Sequence, residues 1–277
     1  LQESIISGSL STSIYDQFGA SVSINDIGDR VVVGAYNDER AGQSSTQNEG
    51  LAYVFVSGAG GWIQQQILSG SLATGSGDNF GYSVAINSIG DRIIVGAPYD
   101  ERSSKPAMYN EGLAYIYVSG ASGWKEQKIL SGSLAKDSYD SFGYSVNMYG
   151  HGLAYIFTSG TNGWFQESIL SGSLATGSNN YFGYSVAINS AGDRIVVGAL
   201  NVEFSTGQSY IFISGSTGWK EDGVISGSLA IQTGDNFGYA VAINSNGDSI
   251  VSTAIFDERT TGEENTGLAY VFNRLFN

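Results

Sequence analysis

The sequence predicts an all-β fold built from repeated four-stranded antiparallel units, and three observations carry that reading. First, one phrase recurs: Phe-Gly stands at Phe18, Phe80, Phe142, Phe182 and Phe237, in steps of 62, 62, 40 and 55 residues. Gly-Trp follows at Trp62, Trp124, Trp164 and Trp219, in steps of 62, 40 and 55. Self-similarity on this scale marks a repeat architecture. Second, each full copy holds four strand-like pieces bounded by Gly, Ser, Asn and Asp. Third, no stretch sustains a 3.6-residue apolar period.

The second copy shows the pieces in order. Residues 80–87, FGYSVAIN, place Phe80, Tyr82, Val84 and Ile86 on one face against small residues on the other. Residues 91–98, DRIIVGAP, carry an apolar run without alternation, as suits a strand buried on both faces. Residues 112–120, GLAYIYVSG, form the third strand. Residues 123–132, GWKEQKILSG, form the fourth, with Trp124, Glu126, Lys128 and Leu130 alternating against Lys125, Gln127 and Ile129. Four strands per copy, repeated radially, make the blade of a β-propeller.

The termini point to closure. The opening LQESIISGSL matches FQESILSGSL at residues 165–174, a fourth strand, whereas the chain's last copy stops after a third strand, GLAYVF, at residues 267–272. The expectation is a single five-bladed propeller over residues 1–277, its ring closed by Gln2 to Ser7 pairing with the strand around Leu268 to Phe272, which removes two frayed edges. The blades are placed at about 11–68, 73–130, 135–170 (incomplete), 175–225, and 230–277 plus 1–10.

Together these phrases resemble the FG-GAP repeat, in the variant common in secreted bacterial proteins and related to the integrin α-subunit propeller. The GAP box stands as Gly34-Ala35-Tyr36, Gly96-Ala97-Pro98 and Gly198-Ala199-Leu200, and decays to Thr253-Ala254-Ile255 in the last copy. Gly at that place permits close approach of a neighbouring backbone. The resemblance implies a calcium loop between strands one and two, with oxygens at alternate positions. Here the loops at residues 25–30, 87–92, 189–194 and 244–249 read NDIGDR, NSIGDR, NSAGDR and NSNGDS. One carboxylate and one amide per loop fall short of the six to eight oxygens that calcium takes. The expectation is therefore a hairpin turn capped by Asn and Asp, and no cofactor or metal.

Composition narrows the partners. With 26 acidic against 12 basic residues the net charge is −14, which argues against nucleic acid or an anionic membrane. No cysteine is present, so disulfides and Cys-based metal or redox sites are excluded. No apolar run reaches the eighteen or so residues of a membrane span, and no signal-like leader opens the sequence. The location expected is extracellular, on a cell or virion surface.

Charge gathers in the loops between strands two and three. The candidate binding residues are Asp38, Glu39 and Arg40; Asp100, Glu101 and Arg102; and Asp257, Glu258 and Arg259. Glu49 and Glu111 follow in the same loops, and the strand four-to-one linkers bring Asp16, Asp140 and Asp235 to the same side. Two accounts stand: Asp and Arg of each Asp-Glu-Arg pair locally for solubility, or the face binds a cation or a polar partner, since function on a rigid scaffold resides in its loops. The aromatics Tyr36, Tyr99 and Phe256 either plug the fold or stack on a sugar, with plugging favoured.

An enzyme finds little support. The single histidine, His151, lies in the shortened third copy, where Ser-His-Asp chemistry would have to be built alone. The glycine-rich runs sit between strands with no following helix to present an N-terminus to an anion. No catalytic residue is assigned. The reading is a binding or adhesion module for a protein or glycan, the alternative a structural component of a larger symmetric surface or virion assembly. The third copy lacks its second strand, and a five-residue link cannot make the parallel crossover that strands one and three would need. Either that blade is reorganised or a segment is absent between Val146 and Asn147; the second is favoured, because the flanking repeats keep their register.

Overall fold

The computed structural model describes residues 4–42, 48–100, 111–134, 142–143, 153–175, 180–202, 206–257 and 266–273. The chain forms two compact units, residues 1–145 and 146–277. The Val146–Asn147 junction and His151 lie outside the described residues.

In the first unit, β1 (Ser21–Ile24), β2 (Arg30–Ala35), β3 (Leu51–Gly58) and β4 (Gly61–Leu68) form one four-stranded sheet in sequence order. β5 (Ser83–Ile86), β6 (Arg92–Ala97), β7 (Leu113–Gly120) and β8 (Gly123–Leu130) form a second. In the second unit, β9 (Ala154–Gly160) pairs with β10 (Gly163–Leu170) alone. β11 (Val186–Ile188), β12 (Arg194–Ala199), β13 (Gln208–Gly215) and β14 (Gly218–Ile225) make a full sheet, and β15 (Phe237–Ile243), β16 (Ser249–Ala254) and β17 (Leu268–Asn273) a three-stranded one. All pairings are antiparallel meanders of the propeller-blade type.

Five four-stranded blades, the third of them incomplete, were expected; the described residues give three four-stranded sheets, a three-stranded one and, in the third copy, a two-stranded one. The N-terminal segment also differs from expectation. Residues 4–8 form no strand, and β17 pairs with β16 in its sheet; Gln2 and Glu3 of the expected closing strand lie outside the described residues. The segment is held instead by the first blade: the Ser9 amide donates to Gln64 Oε1 at 2.9 Å, Gly8 lies against the Tyr53 ring, and Ile6 and Leu10 pack beside Tyr53 and Phe55. Gly70, Gly172 and Gly227 lie in the same way against Tyr115, Tyr210 and Tyr270. The opening ISGSL phrase thus acts as the linker that seats a blade, because its glycine fits flat on the ring where a side chain would collide.

Inside each blade the Phe of the Phe-Gly phrase meets two aromatics of the third strand edge-on. Phe18 stands 5.4 Å from Tyr53 and 6.1 Å from Phe55, Phe80 5.3 Å from Tyr115 and 6.2 Å from Tyr117, and Phe182 5.3 Å from Tyr210 and 6.1 Å from Phe212. Phe237 repeats this with Tyr270 and Phe272. Edge-to-face packing is the arrangement that ring quadrupoles favour.

The Phe-Gly phrase forms a turn ahead of the first strand in the full blades of the first unit, so that strand is shorter than the pattern predicts. The fourth strand is also less regular than strict alternation implies. A bulge falls at Gln65, Gln127, Glu167 and Asp222, one per sheet. Two of these residues turn outward to the neighbouring repeat: Trp124 Nε1 donates to Gln65 Oε1 at 3.1 Å and Trp219 Nε1 to Glu167 Oε1 at 3.2 Å.

Successive repeats meet backbone to backbone. A methyl group on Gly34 would stand 1.9 Å from the Gly81 carbonyl oxygen, and one on Gly96 1.8 Å from that of Gly143. Those carbonyls accept hydrogen bonds from Ser21 Oγ at 2.9 Å and Ser83 Oγ at 2.7 Å; Ser185 Oγ serves Gly238 at 2.8 Å. The amides of Phe80, Phe142 and Phe237 donate back to the carbonyls of Glu49, Glu111 and Thr206. In the last repeat both clamp residues differ, Ala240 for the serine and Thr253 for the glycine, and Thr253 Oγ1 bonds the Ala240 amide at 3.0 Å instead.

If this clamp holds the repeats together, Gly34→Ala should lower the stability to urea by about 3 kcal/mol, as an overpacked backbone contact does. Ser21→Ala should cost only about 1 kcal/mol, the worth of one hydrogen bond. Tryptophan fluorescence along a urea gradient measures both; an unchanged midpoint for Gly34→Ala would show that the contact does not bear on stability.

Candidate functional site

Two ends of each blade carry repeated polar residues, and they are used differently. At the hairpin end, Asn25 Oδ1 accepts from the amides of Asp29 and Arg30, while Asn25 Nδ2 donates to Asp29 Oδ1 at 2.8 Å. Asn87 with Asp91, Asn189 with Asp193, and Asn244 with Asp248 repeat the set. The capped turn expected from the sequence is there, with glycine at Gly28, Gly90, Gly192 and Gly247 supplying the positive φ. The following arginines reach forward: Arg30 Nη1 donates to Gly90 O at 2.7 Å and Arg194 Nη1 to Gly247 O at 3.1 Å. Arg92 would need the loop that the third copy lacks, and it is exposed.

At the opposite end sit the predicted binding residues. After β2 the chain turns, with the Asp38 amide on Ala35 O at 3.1 Å and the Gly50 amide returning to Asp38 O at 2.9 Å. This places Asp38 under Tyr53, whose hydroxyl donates to Asp38 Oδ2 at 2.5 Å. The same bond joins Tyr115 to Asp100 and Tyr270 to Asp257. Asp38, Asp100 and Asp257 are therefore interior residues, at 0, 1 and 1 % exposure, rather than parts of an open acidic face. A tyrosine hydroxyl in the core needs an acceptor, and the aspartate supplies it. In the fourth repeat Val202 replaces the aspartate and Tyr210 donates to Gln208 Oε1 at 3.0 Å.

Glu39 and Arg40 are partly exposed, but the local Asp–Arg pair foreseen for this loop is absent. Arg40 Nη2 instead donates to the carbonyls of Gly70 and Ala73, both at 2.6 Å, and so ties the first blade to the linker of the second. Of the aromatics, Tyr36 packs on Tyr82 of the next repeat at 5.0 Å, which is plugging, while Phe256 is 44 % exposed. Glu101, Arg102, Glu258 and Arg259 lie outside the described residues.

The loops bring one more residue to Asp38. Asp16 caps the turn before Phe18 by accepting from the Ser13 amide at 2.6 Å, as Asp78 does for Gly75 and Asp235 for Gln232. The next residue takes a left-handed backbone in each case, at Gln17, Asn79 and Asn236. That turn sets Asp16 beside the loop after β2, where Asp16, Asp38 and Glu39 present carboxylate oxygens all within 4.8 Å of one another. Like charges at that spacing repel by roughly 3 kcal/mol per pair at an effective dielectric constant of ~20. Burial first, and then Asp16, push the Asp38 carboxyl up to about 6 against the pull of the Tyr53 hydrogen bond. Burial, Asp16 and Glu49 also raise Glu39. The same residue types recur in the sequence at Asp78, Asp100 and Glu101 and at Asp235, Asp257 and Glu258. Asp16 and Glu49 were legible as neighbours of the site from their place in each repeat; that Asp16 joins Asp38 in one cluster was not, since 22 residues separate them.

Repeated meander sheets joined by backbone clamps, with no cofactor-shaped fold around them, define a β-propeller-type repeat module. The family model of the FG-GAP repeat matches residues 12–55 and 62–117, the first two blades of that module. The same strands, clamp and aromatic trio recur in the later sheets, so the matched residues are FG-GAP repeats and the later sheets repeat their propeller-blade pattern. A search of the curated proteins found no match.

The raised carboxyl sets a pH dependence. With chelator present, folded Asp38 holds its proton up to about 6 while unfolded Asp38 loses it near 3.8. Its contribution is then fully present below the unfolded value and is lost as pH rises through about 6, by roughly 3 kcal/mol at most. Wild-type stability measured relative to Asp38→Asn should fall between about pH 4 and 7. A difference that stays flat or rises over that window would contradict the buried, charge-crowded reading.

Proposed function

We propose that this chain is a non-catalytic extracellular binding or adhesion module, carried on five propeller blades that form one domain over residues 1–277. Its ligand, a protein or glycan, meets the loops that follow the second strand of the blades. The observation that supports this is the contrast between the two blade ends. The hairpin-end Asn and Asp side chains satisfy one another and the turn. The loop end of the first blade gathers three carboxylates, and its Glu39 is partly exposed. Glu101, Arg102, Glu258 and Arg259 extend the proposed surface by their place in the repeats. The hairpin loops are read as free of calcium, since their Asn–Asp pairs are engaged in capping. Among the described residues no helix is long and apolar enough to cross a membrane. The FG-GAP scaffold is that of binding and structural modules, which agrees with a location outside the cell.

A second reading, a structural component of a surface or virion assembly, draws on Ile14, Tyr15 and Ile231. These stand on the linkers before the Phe-Gly turns at 86, 69 and 76 % exposure, where burial against a symmetric neighbour would remove apolar surface from water.

The two readings separate on a glycan and protein array probed with the wild-type chain and with Glu39→Lys. A binding module gives saturable binding that the substitution weakens about tenfold or more, the loss of roughly 1.4 kcal/mol. No saturable ligand, together with concentration-dependent self-association in sedimentation, would refute it in favour of the assembly component.

A further inference from the structure

We propose that Asn162, in the turn between β9 and β10, is a site of spontaneous covalent modification in the folded chain. Its side-chain amide is lost to the Gly163 nitrogen, and the residue becomes aspartate or isoaspartate. Asparagine followed by glycine occurs twice in the chain, at Asn162-Gly163 and at Asn246-Gly247. Glycine matters because a residue without Cβ leaves its own nitrogen open to approach. The chemistry needs only water. The Gly163 amide nitrogen gives its proton to solvent base and attacks Asn162 Cγ. An N–C bond forms, the Cγ–Nδ2 bond breaks, and the departing nitrogen takes up a proton and leaves as ammonia. Water then opens the cyclic imide. Opening at one carbonyl gives aspartate; opening at the other gives isoaspartate, in which the main chain runs through the side-chain carbons. Nothing is oxidised or reduced, and the net exchange is of an NH2 for an OH.

The structure separates the two asparagines. Thr161 and Asn162 link Gly160 to its ladder partner Gly163, and both Asn162 and Gly163 are exposed. A methyl group on Gly163 would meet nothing within 4 Å, so no neighbour covers the approach to its peptide. The turn itself does not call for asparagine. Its counterparts are Ala59-Gly60, Ala121-Ser122 and Ser216-Thr217. In all four turns the positive φ falls on the glycine that follows, at 93° for Gly61, 93° for Gly123, 92° for Gly163 and 96° for Gly218. Among the described residues β9 and β10 form a sheet of two strands only. A two-stranded hairpin opens at lower cost than a strand pair inside a larger sheet, and ring closure onto Cγ needs the turn to open briefly.

Asn246 is placed otherwise. Gly247 is buried, and a methyl group there would stand 2.7 Å from Arg194 Cδ. Arg194 Nη1 donates to the carbonyls of Gly247 at 3.1 Å and of Asn246 at 3.4 Å, so the preceding repeat pins both peptides. The capping asparagines Asn25, Asn87, Asn189 and Asn244 hold their side chains on turn amides, and each precedes Asp or Ser instead of Gly. Modification thus singles out the third copy. Isoaspartate lengthens the main chain inside a turn whose length sets the register of β9 on β10. Either product places a carboxylate in a turn, residues 160–163, that carries no charge.

The test holds the whole chain for weeks at mildly alkaline pH, folded in one arm and unfolded in guanidinium chloride in the other. Peptide mass spectrometry follows the NH2-to-OH exchange at each asparagine, and a protein-isoaspartate methyltransferase assay counts isoaspartate. Each folded rate is divided by the rate of the same asparagine in the unfolded chain, which removes the effect of local sequence. The expected ratio for Asn162 exceeds that for Asn246 by about tenfold or more. The folded reaction should also slow at mildly acidic pH, because the Gly163 amide must lose its proton. Asn162→Ser, which installs the residue found at the same place in the second copy's turn, should remove most of the isoaspartate of the folded chain and leave its melting unchanged. Equal ratios for the two asparagines overturn the proposal, since the open turn would then give no advantage over the pinned one. An isoaspartate signal undiminished in Asn162→Ser overturns it equally.

Discussion

The contact of one repeat's backbone with the next is the constraint on which the rest of this protein depends. Gly34 and Gly96 have no room for even a methyl group, because the carbonyl of the following Phe-Gly turn lies where it would stand. That carbonyl leaves water only because a serine hydroxyl is aimed at it, from Ser21, Ser83 or Ser185. The turn that offers the carbonyl also delivers its phenylalanine into the aromatic trio and its amide to the previous repeat's loop. One short phrase thereby sets the spacing between blades, the core of its own blade and the position of the loop that ends in Glu49. Where Thr253 and Ala240 replace the pair, the two residues satisfy each other and the face loses its clamp.

The same economy makes the acidic cluster stand out. A core tyrosine hydroxyl requires an acceptor, but the fourth repeat meets that need with the neutral Gln208. An aspartate is therefore not required by the tyrosine. In the first repeat the charged solution is kept, and Asp16 and Glu39 are added around it, although burial and mutual repulsion both oppose ionisation there. A scaffold under no other demand would have shed that charge, as the fourth repeat does with Asn180 and Val202 in the places of Asp16 and Asp38. The loop end thus keeps a charge that packing does not call for, whereas the hairpin end, with its Asn–Asp caps and forward-reaching arginines, is accounted for by structure alone.

Much of this was legible in the chain itself. Period-two alternation, the Phe-Gly and Gly-Trp ladders and the Asn-x-x-Gly-Asp turns determined the strands, their antiparallel order, the repeat boundaries and the capped hairpins, because each is a local consequence of side-chain period and turn chemistry. The tertiary structure alone decided what depends on distance across repeats. It turned Asp38, Asp100 and Asp257 from surface charges into buried partners of tyrosines, and sent Arg40 away from its neighbour to two carbonyls of the next linker. It seated Gly8 on Tyr53 where an outer strand had been expected, and brought Asp16 within reach of Asp38 across a whole strand pair. Periodicity states which way a side chain points; only the packed neighbour, fixed by the glycine clamp, states what it meets there.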